Sequence, residues 1–347
     1  MERAGGATTE PNPMKRKPAE ETLDPPDEKE AEEGKVMPVE LLQDHKYADI
    51  FPWLYRLNDT SETSRESMMI SLRPEEDWER ASRQQVGCHM LQIFSLKLSS
   101  SPSSITSTGP IQLYGFMALR DPIDPLRNYV FKRNRDDPFI VQDLHSDPFI
   151  YLSAGPKRGV YVQNVVLLEY DIKIKTGGDN RDHHHHHQHQ EEEQDSPLIN
   201  GVAVFSLPMW THGPVTNRIT GDRGVAVDIS RCFIHNAVEI TVQVFISELK
   251  PTTSSGGINL SITGRISKVT GEIKVFHDVV DQPCELNKFV VAVGYLSCLF
   301  LQFDVPGTPY NYLNLFAFKA RRNGSLRDRR ELHFATVDVI ATCSILH

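Results

Sequence analysis

The sequence predicts an all-β fold: a single β-sandwich or partly open barrel, preceded by a disordered acidic N-terminal arm with short helical segments. Three observations predict it. From Val86 onward, stretches rich in β-branched and aromatic residues alternate with Gly, Pro and Asn/Asp turn signals at the spacing of sandwiches and barrels. One of these stretches, Met90–Leu98, carries apolar residues at both parities, as strands covered on both faces do. Residues 1–37 have the opposite texture, with five prolines, an acidic run from Glu20 to Glu33 and almost nothing aromatic or β-branched to bury. Such a segment cannot offset its ordering entropy.

After the arm, residues 38–85 read as a docking segment followed by a short helix. Leu41, Leu42, Tyr47, Ile50, Phe51, Trp53, Leu54 and Leu57 recur at mixed spacing, and Pro52 interrupts any long helix through them. Packing back on its own domain is the plain reading of this segment, and partner binding the alternative. Pro74 followed by Glu75, Glu76 and Asp77 predicts a helix start, because Pro fits the first turn and acids favour the positive end of the dipole.

Residues 86–347 form the expected β-rich domain. Candidate strands are Met90–Leu98, Ile111–Leu119, Val160–Lys175, Val202–Leu207, Val225–Ser247, Ile258–Lys268, Glu272–Val279, Phe289–Asp304, Leu313–Lys319 and Leu332–Ser344, the longest of which can each contain a turn. Met90–Leu98 is apolar at both parities. Leu332–Ser344 alternates more cleanly, which predicts one solvent-facing side there. Between them, residues 176–197 hold His183–His187, His189 and Glu191–Glu193 flanked by Gly177 and Gly178, a low-complexity insert between strands. These groups are good metal donors, but a homopolymeric run lacks the fixed spacing that defines a site, so no metal is assigned.

Charge is distributed unevenly. Lys and Arg number 12 against 20 Asp and Glu in residues 1–85, but 25 against 26 in residues 86–347, so the acidity sits in the N-terminal part. A near-neutral domain lacks the electrostatic footprint of a nucleic-acid stripe. No secretory signal is readable after Met1, and the strongly apolar run between Lys288 and Asp304 is shorter than the ~18 residues a spanning helix needs. The expectation is a cytoplasmic protein without a membrane partner, with Lys15-Arg16-Lys17 as a reading for nuclear import. Five widely spaced cysteines without a C-x-x-C pair fit reduced thiols.

Catalytic motifs are missing: there is no G-x-S-x-G, H-E-x-x-H, Walker A loop or G-x-G-x-x-G, and no cofactor is expected. Isolated His89, His145, His212, His235, His277 and His333 read as hydrogen-bonded imidazoles beside strands. The distinctive segment is Ala118–Phe139. Its Arg120, Arg127, Lys132, Arg133 and Arg135 can bind phosphate or stack on bases. The nearby Asp121, Asp124, Asp136 and Asp137 favour instead a structural charge network tying loops to the sheet.

That segment, together with Gly155–Gly159, His235–Glu239 and Lys288–Val293, resembles a plant domain family of unknown function abundant in cereal grasses. The resemblance covers roughly residues 86–346. A similar domain follows the ribosome-inactivating domain in some jasmonate-induced proteins, so the resemblance implies a plant protein with a link to stress, and no established activity. The Glu-x-x-Arg pair of ribosome-inactivating enzymes occurs here as Glu62 and Arg65, in a polar stretch without the apolar helix such a site needs. The function expected is a non-catalytic interaction or regulatory module with a protein partner. The alternative is an RNA-directed or ribosome-associated accessory factor. Oligomeric state is not legible.

Replacing the insert between Lys175 and Pro197 with an equal length of Gly-Ser is expected to preserve the fold, since loop closure depends weakly on composition and length. Far-UV circular dichroism and the thermal midpoint check this.

Overall fold

In the computed structural model, three open sheets share one hydrophobic core. The described residues are 36–38, 40–67, 87–100, 110–144, 146–152, 155–176, 195–206, 213–221, 226–250, 256–308 and 311–346, all within the compact unit Lys35–His347. Residues 1–35 of the expected arm, the expected helix from Pro74, and residues 177–194 of the His/Glu-rich insert lie outside them.

Along the chain the strands are β1 (Val36–Pro38), β2 (Glu40–Leu41), β3 (Cys88–Ser100), β4 (Ile111–Arg120), β5 (Asn128–Arg133), β6 (Phe139–Val141), β7 (Phe149–Ile150), β8 (Val160–Tyr161), β9 (Val165–Ile174) and β10 (Ser196–Ser206). They continue as β11 (Val215–Thr220), β12 (Ala226–Leu249), β13 (Ile258–Ile266), β14 (Ile273–Val280), β15 (Cys284–Glu285), β16 (Phe289–Gly294), β17 (Cys298–Asp304), β18 (Leu315–Lys319), β19 (Gly324–Glu331) and β20 (Ala335–Ser344). The all-β class is therefore as expected, in a sandwich-like arrangement with no closed barrel among the described strands.

The largest sheet is organised by β12, whose 24 residues pair with β11 and β3 in the first half and with β16, β15 and β20 in the second. The change of partner falls at Asn236, which has φ 48°. That left-handed conformation suits Asn better than most residues. Opposite it, β3 and β12 lose register by one residue between Ile234 and Ala237, a bulge that bends the strand. Gly87 seals the bulge. Its N–H donates to Asn236 Oδ1 at 2.8 Å, and a Cβ there would stand 2.3 Å from the Ala237 carbonyl oxygen.

A six-stranded sheet runs β2-β10-β9-β4-β5, with β6 on β4, and a four-stranded sheet runs β14-β13-β17-β18. The β9–β10 pair opens directly from Ile174 opposite Ser196, so the insert is the tip of a hairpin. Two departures from expectation have plain causes. Strand β20 is buried on both sides, because one face (Ala335, Val337, Val339, Ala341, Cys343) lies in the core and the polar face is covered by side chains of its neighbours, Arg327 on Asp338, Ser325 on Thr342 and Glu239 on Ser344. Val36 and Met37, counted with the arm, pair in parallel with β11, so the expected boundary of the arm is too late.

The segment after the arm packs back on the domain. A four-residue helix, α1 (Phe51–Leu54), accepts Pro52 in its first turn, where the missing N–H costs nothing. Phe51 and Tyr55 fill a small second core with Leu167 and Val204, and the Tyr55 hydroxyl donates to the Val165 carbonyl at 3.0 Å. Burying each ring contributes about 1.5–3 kcal/mol.

Gly87→Ala is expected to lower stability by at least about 2 kcal/mol, because the added methyl meets backbone rather than a movable side chain. Chemical denaturation of the variant and the parent measures this.

Candidate functional site

Strand β4 ends on Arg120, a residue with no solvent exposure. Its guanidinium donates from Nε and Nη2 to Glu169 Oε2 at 2.9 and 2.7 Å. The remaining N–H groups reach the carbonyls of Tyr55, Arg56, Asp59 and Pro125 at 2.7–3.3 Å. One side chain thus fastens the segment after α1 and the loop after β4 to β9. Arg127 takes the other edge of the same carboxylate, bonding Glu169 Oε1 and, at 3.0 Å, Oε2, while its plane lies 4.2 Å over the Phe116 ring. Burial alone would raise the Glu169 pKa, but the two guanidiniums outweigh it and hold the carboxyl below its ordinary range.

A second buried pair lies alongside. Arg158 meets Asp121 at 2.6 Å, with both side chains 1% exposed, and Asp121 also accepts the N–H groups of Ile123, Asp124 and Tyr161. Arg158 bonds the carbonyls of Gly159 and Asp124 as well, leaving its Nε without a partner among the described residues. The Asp124 carboxylate accepts from the Thr63 hydroxyl at 2.5 Å. Behind Gly159, Glu239 of β12 accepts the Gly159 N–H at 2.5 Å and the Ser344 hydroxyl at 3.0 Å, and burial pushes its pKa up.

The remaining residues of the Arg-rich segment are less buried. Lys132 pairs with Glu62 at 2.9 Å, and Lys157 joins the same carboxylate at 2.7 Å. Arg133 pairs with Asp137 at 2.9 Å on the surface, and Asp136 faces solvent. Arg135 bonds Asp195, whose buried carboxylate also accepts from Tyr114 and the Thr176 N–H. Asp195 is therefore a clamp at the base of the hairpin, and the replaceable part of the insert is 177–194 rather than everything between Lys175 and Pro197.

Arg133 finds its carboxylate within the segment itself. Arg120, Arg127, Lys132 and Arg135 reach Glu169, Glu62 and Asp195, on elements far away in sequence. Glu62 sits in an isolated bridge opposite Arg127, outside any helix, so the Glu62 and Arg65 spacing has no depurination geometry. Sequence reasoning overlooked Glu169 and Asp195, and singled out Arg158 and Glu239 only within the stretches that carry the family resemblance. The usable signal was a single acid inside an apolar strand, as in Val165–Tyr170 and Ala237–Val242.

Above the Arg120 network lies an open cleft of about 900 Å³, with Pro52, Trp53, Leu54, Pro122, Ile123 and Pro125 on its apolar side and Arg56, Asn58, Asp59 and Thr60 on its polar side. Trp53 is 81% exposed, and Leu41, Tyr47, Ile50 and Leu54 are also exposed large apolar residues of this short stretch. Among the described residues, no group of three or more His, Cys, Asp or Glu is placed to hold a metal, and no helix is long and apolar enough to cross a membrane.

These features define an open all-β domain whose loops are bolted by buried ion pairs beneath a cleft of mixed polar and apolar lining. Residues 90–340 match the family model described as a domain of unknown function (DUF6598), and the chain belongs to that family. No curated protein matches it. Among solved structures, the tandem C2 domains of Extended-Synaptotagmin 2 are similar at 7% identity and a TM-score of 0.22, covering 83% of this chain and 100% of that one. Human GIVD cytosolic phospholipase A2 is similar at 8% identity and a TM-score of 0.20, over 75% of this chain and 30% of that one. Likenesses at these TM-scores carry no inference about this chain.

Glu169→Gln is expected to cost about 3–5 kcal/mol, because it leaves two largely buried guanidiniums without their charge partner. Arg127→Ala should cost about 2 kcal/mol, since Arg120 keeps the carboxylate occupied. Glu169 has a depressed folded pKa, so its contribution is complete at neutral pH and is lost as pH falls below the ordinary carboxylate range. Denaturation midpoints of parent and Glu169→Gln across acid pH should converge.

Proposed function

We propose that this chain is a non-catalytic protein-interaction module of an intracellular plant protein, docking a partner through the cleft beside Trp53. The observation that carries this reading is Trp53 itself, a large side chain 81% exposed at the mouth of a cleft. Exposed aromatic anchors on rigid supports are what interfaces use for affinity. The support is rigid here, because α1 is fixed from below by the Phe51 and Tyr55 core and by Arg120 bonds to the Tyr55 and Arg56 carbonyls. The partner fitting this surface is a protein segment that inserts an apolar side chain between Trp53 and Pro122, with polar groups meeting Arg56 and Asp59.

The RNA-directed alternative loses support from the same geometry. Phosphate recognition needs guanidinium edges turned outward, whereas Arg120 and Arg127 spend theirs on Glu169, and Arg135 bonds Asp195. The five free thiols fit a reducing compartment. The plant setting and a stress-linked role rest on the resemblance of the sequence to the cereal-grass domains.

Affinity capture from native tissue with the full chain as bait is expected to enrich a discrete partner set that Trp53→Ala loses and nuclease treatment spares. Salt-dependent RNA binding that is weakened by Arg135→Ala and indifferent to Trp53→Ala would overturn the reading.

A further inference from the structure

We propose that His89 and His235 form a two-histidine chelating site for a divalent late first-row transition metal, Ni(II) or Cu(II), at the bulge between β3 and β12. The two residues stand 146 positions apart in sequence, yet their Nδ1 atoms are 3.0 Å apart, and their rings meet edge to face at 84° with centroids 4.7 Å apart.

The bulge makes this meeting. Met90 pairs with Ile234 and Cys88 with Ala237, so His89 faces two residues of β12, and the extra residue lets His235 turn toward it. Neighbouring Cys88 and Met90 alternate to the opposite face, where Met90 is fully buried. The backbone around the pair is tied down. The His89 carbonyl accepts from Val162 N–H at 2.9 Å, and the Asn236 carbonyl accepts from Tyr295 N–H at 2.8 Å. Two donors held on hydrogen-bonded strands lose little freedom on binding a third body.

The spacing selects the metal geometry. Two metal–nitrogen bonds of about 2.05 Å spanning 3.0 Å subtend about 94°. That is close to the angle of a cis pair in a tetragonal or octahedral shell. Both lone pairs converge on a metal only after the rings turn about χ2, a broad torsion in His that also adjusts the spacing between the nitrogens. The ring that carries its proton on Nδ1 moves it to Nε2, so two neutral imidazoles bind without net proton release. His235 is exposed and His89 partly so, which leaves the other coordination positions to water.

The His183–His187 run and His189 offer the same donor atoms, so the test must separate the two. A metal that bridges β3 and β12 binds the native state alone and raises stability by mass action, whereas an insert that binds equally well when the chain is unfolded does not. Thermal unfolding of the full-length chain at neutral pH, with Ni(II) as a probe that leaves thiols unoxidised, is expected to show a rise of several degrees. The rise should vanish in His89→Gln and in His235→Gln, and persist when His183–His187 and His189 are all changed to Gln. His235 is exposed, so its variant reports even where His89→Gln fails to fold. No rise in the parent chain, an equal rise in His235→Gln, or loss of the rise with the insert histidines would each overturn the assignment.

Discussion

The hydrogen-bond demand of β12 is the constraint on which the rest of the structure depends. A strand of 24 residues that has neighbours on both sides near each of its ends needs five partners in register, and it must be apolar on both faces wherever the other layers cover it. A straight strand of that length would splay its partners apart. The left-handed turn at Asn236 and the close approach of Gly87 bend it, so that the β11–β3 half and the β16–β20 half share one core. Glu239, just beyond the bend, then receives the Gly159 N–H, which carries the register of β12 to the loop that holds Arg158.

The buried ion pairs act on that frame differently from the apolar core. Taking guanidiniums and carboxylates out of water costs several kcal/mol per ion, which their attraction only about offsets. Their contribution is to geometry: Arg120 needs several carbonyls at fixed positions, and residues 55, 56, 59 and 125 supply them. A loop held this way can keep Trp53 outside and its backbone still. That combination is what separates the cleft from an apolar patch on a mobile segment.

Legibility from sequence followed composition. Strands β3, β4, β13 and β14 stood out because their β-branched and aromatic content is high, and the Phe289–Asp304 run resolved into β16 and β17 around a tight connection at Tyr295–Ser297. Strand β19, Gly-Ser-Leu-Arg-Asp-Arg-Arg-Glu, was illegible for a physical reason: it pairs on one side with β20 alone, and charge on such an edge discourages pairing with other chains. Strands β5 and β11 were too short or too polar to announce themselves, whereas Asp147-Pro148 followed by strand formers marked β7. In the site, Arg120 and Arg127 were visible as an Arg-rich stretch beside aromatics. Glu169 and Asp195, their group's true anchors, were not, because partners 42 to 60 residues away leave no local pattern.

The path of the chain from Val36 to Leu41 has a mechanical meaning. Three residues run along β11 in the large sheet, and two residues further on the chain pairs with β10 in the six-stranded sheet. This stitch crosses from one layer to the other, yet each side is held by only two or three residue pairs. Tension applied at residue 36 across the strand direction would load these pairs one after another, like the teeth of a zipper, rather than shearing a whole strand at once. The weak stitch would part before the Phe51 and Tyr55 core felt the load, so a pull on the leading segment would leave the Trp53 surface intact until its own anchors were reached.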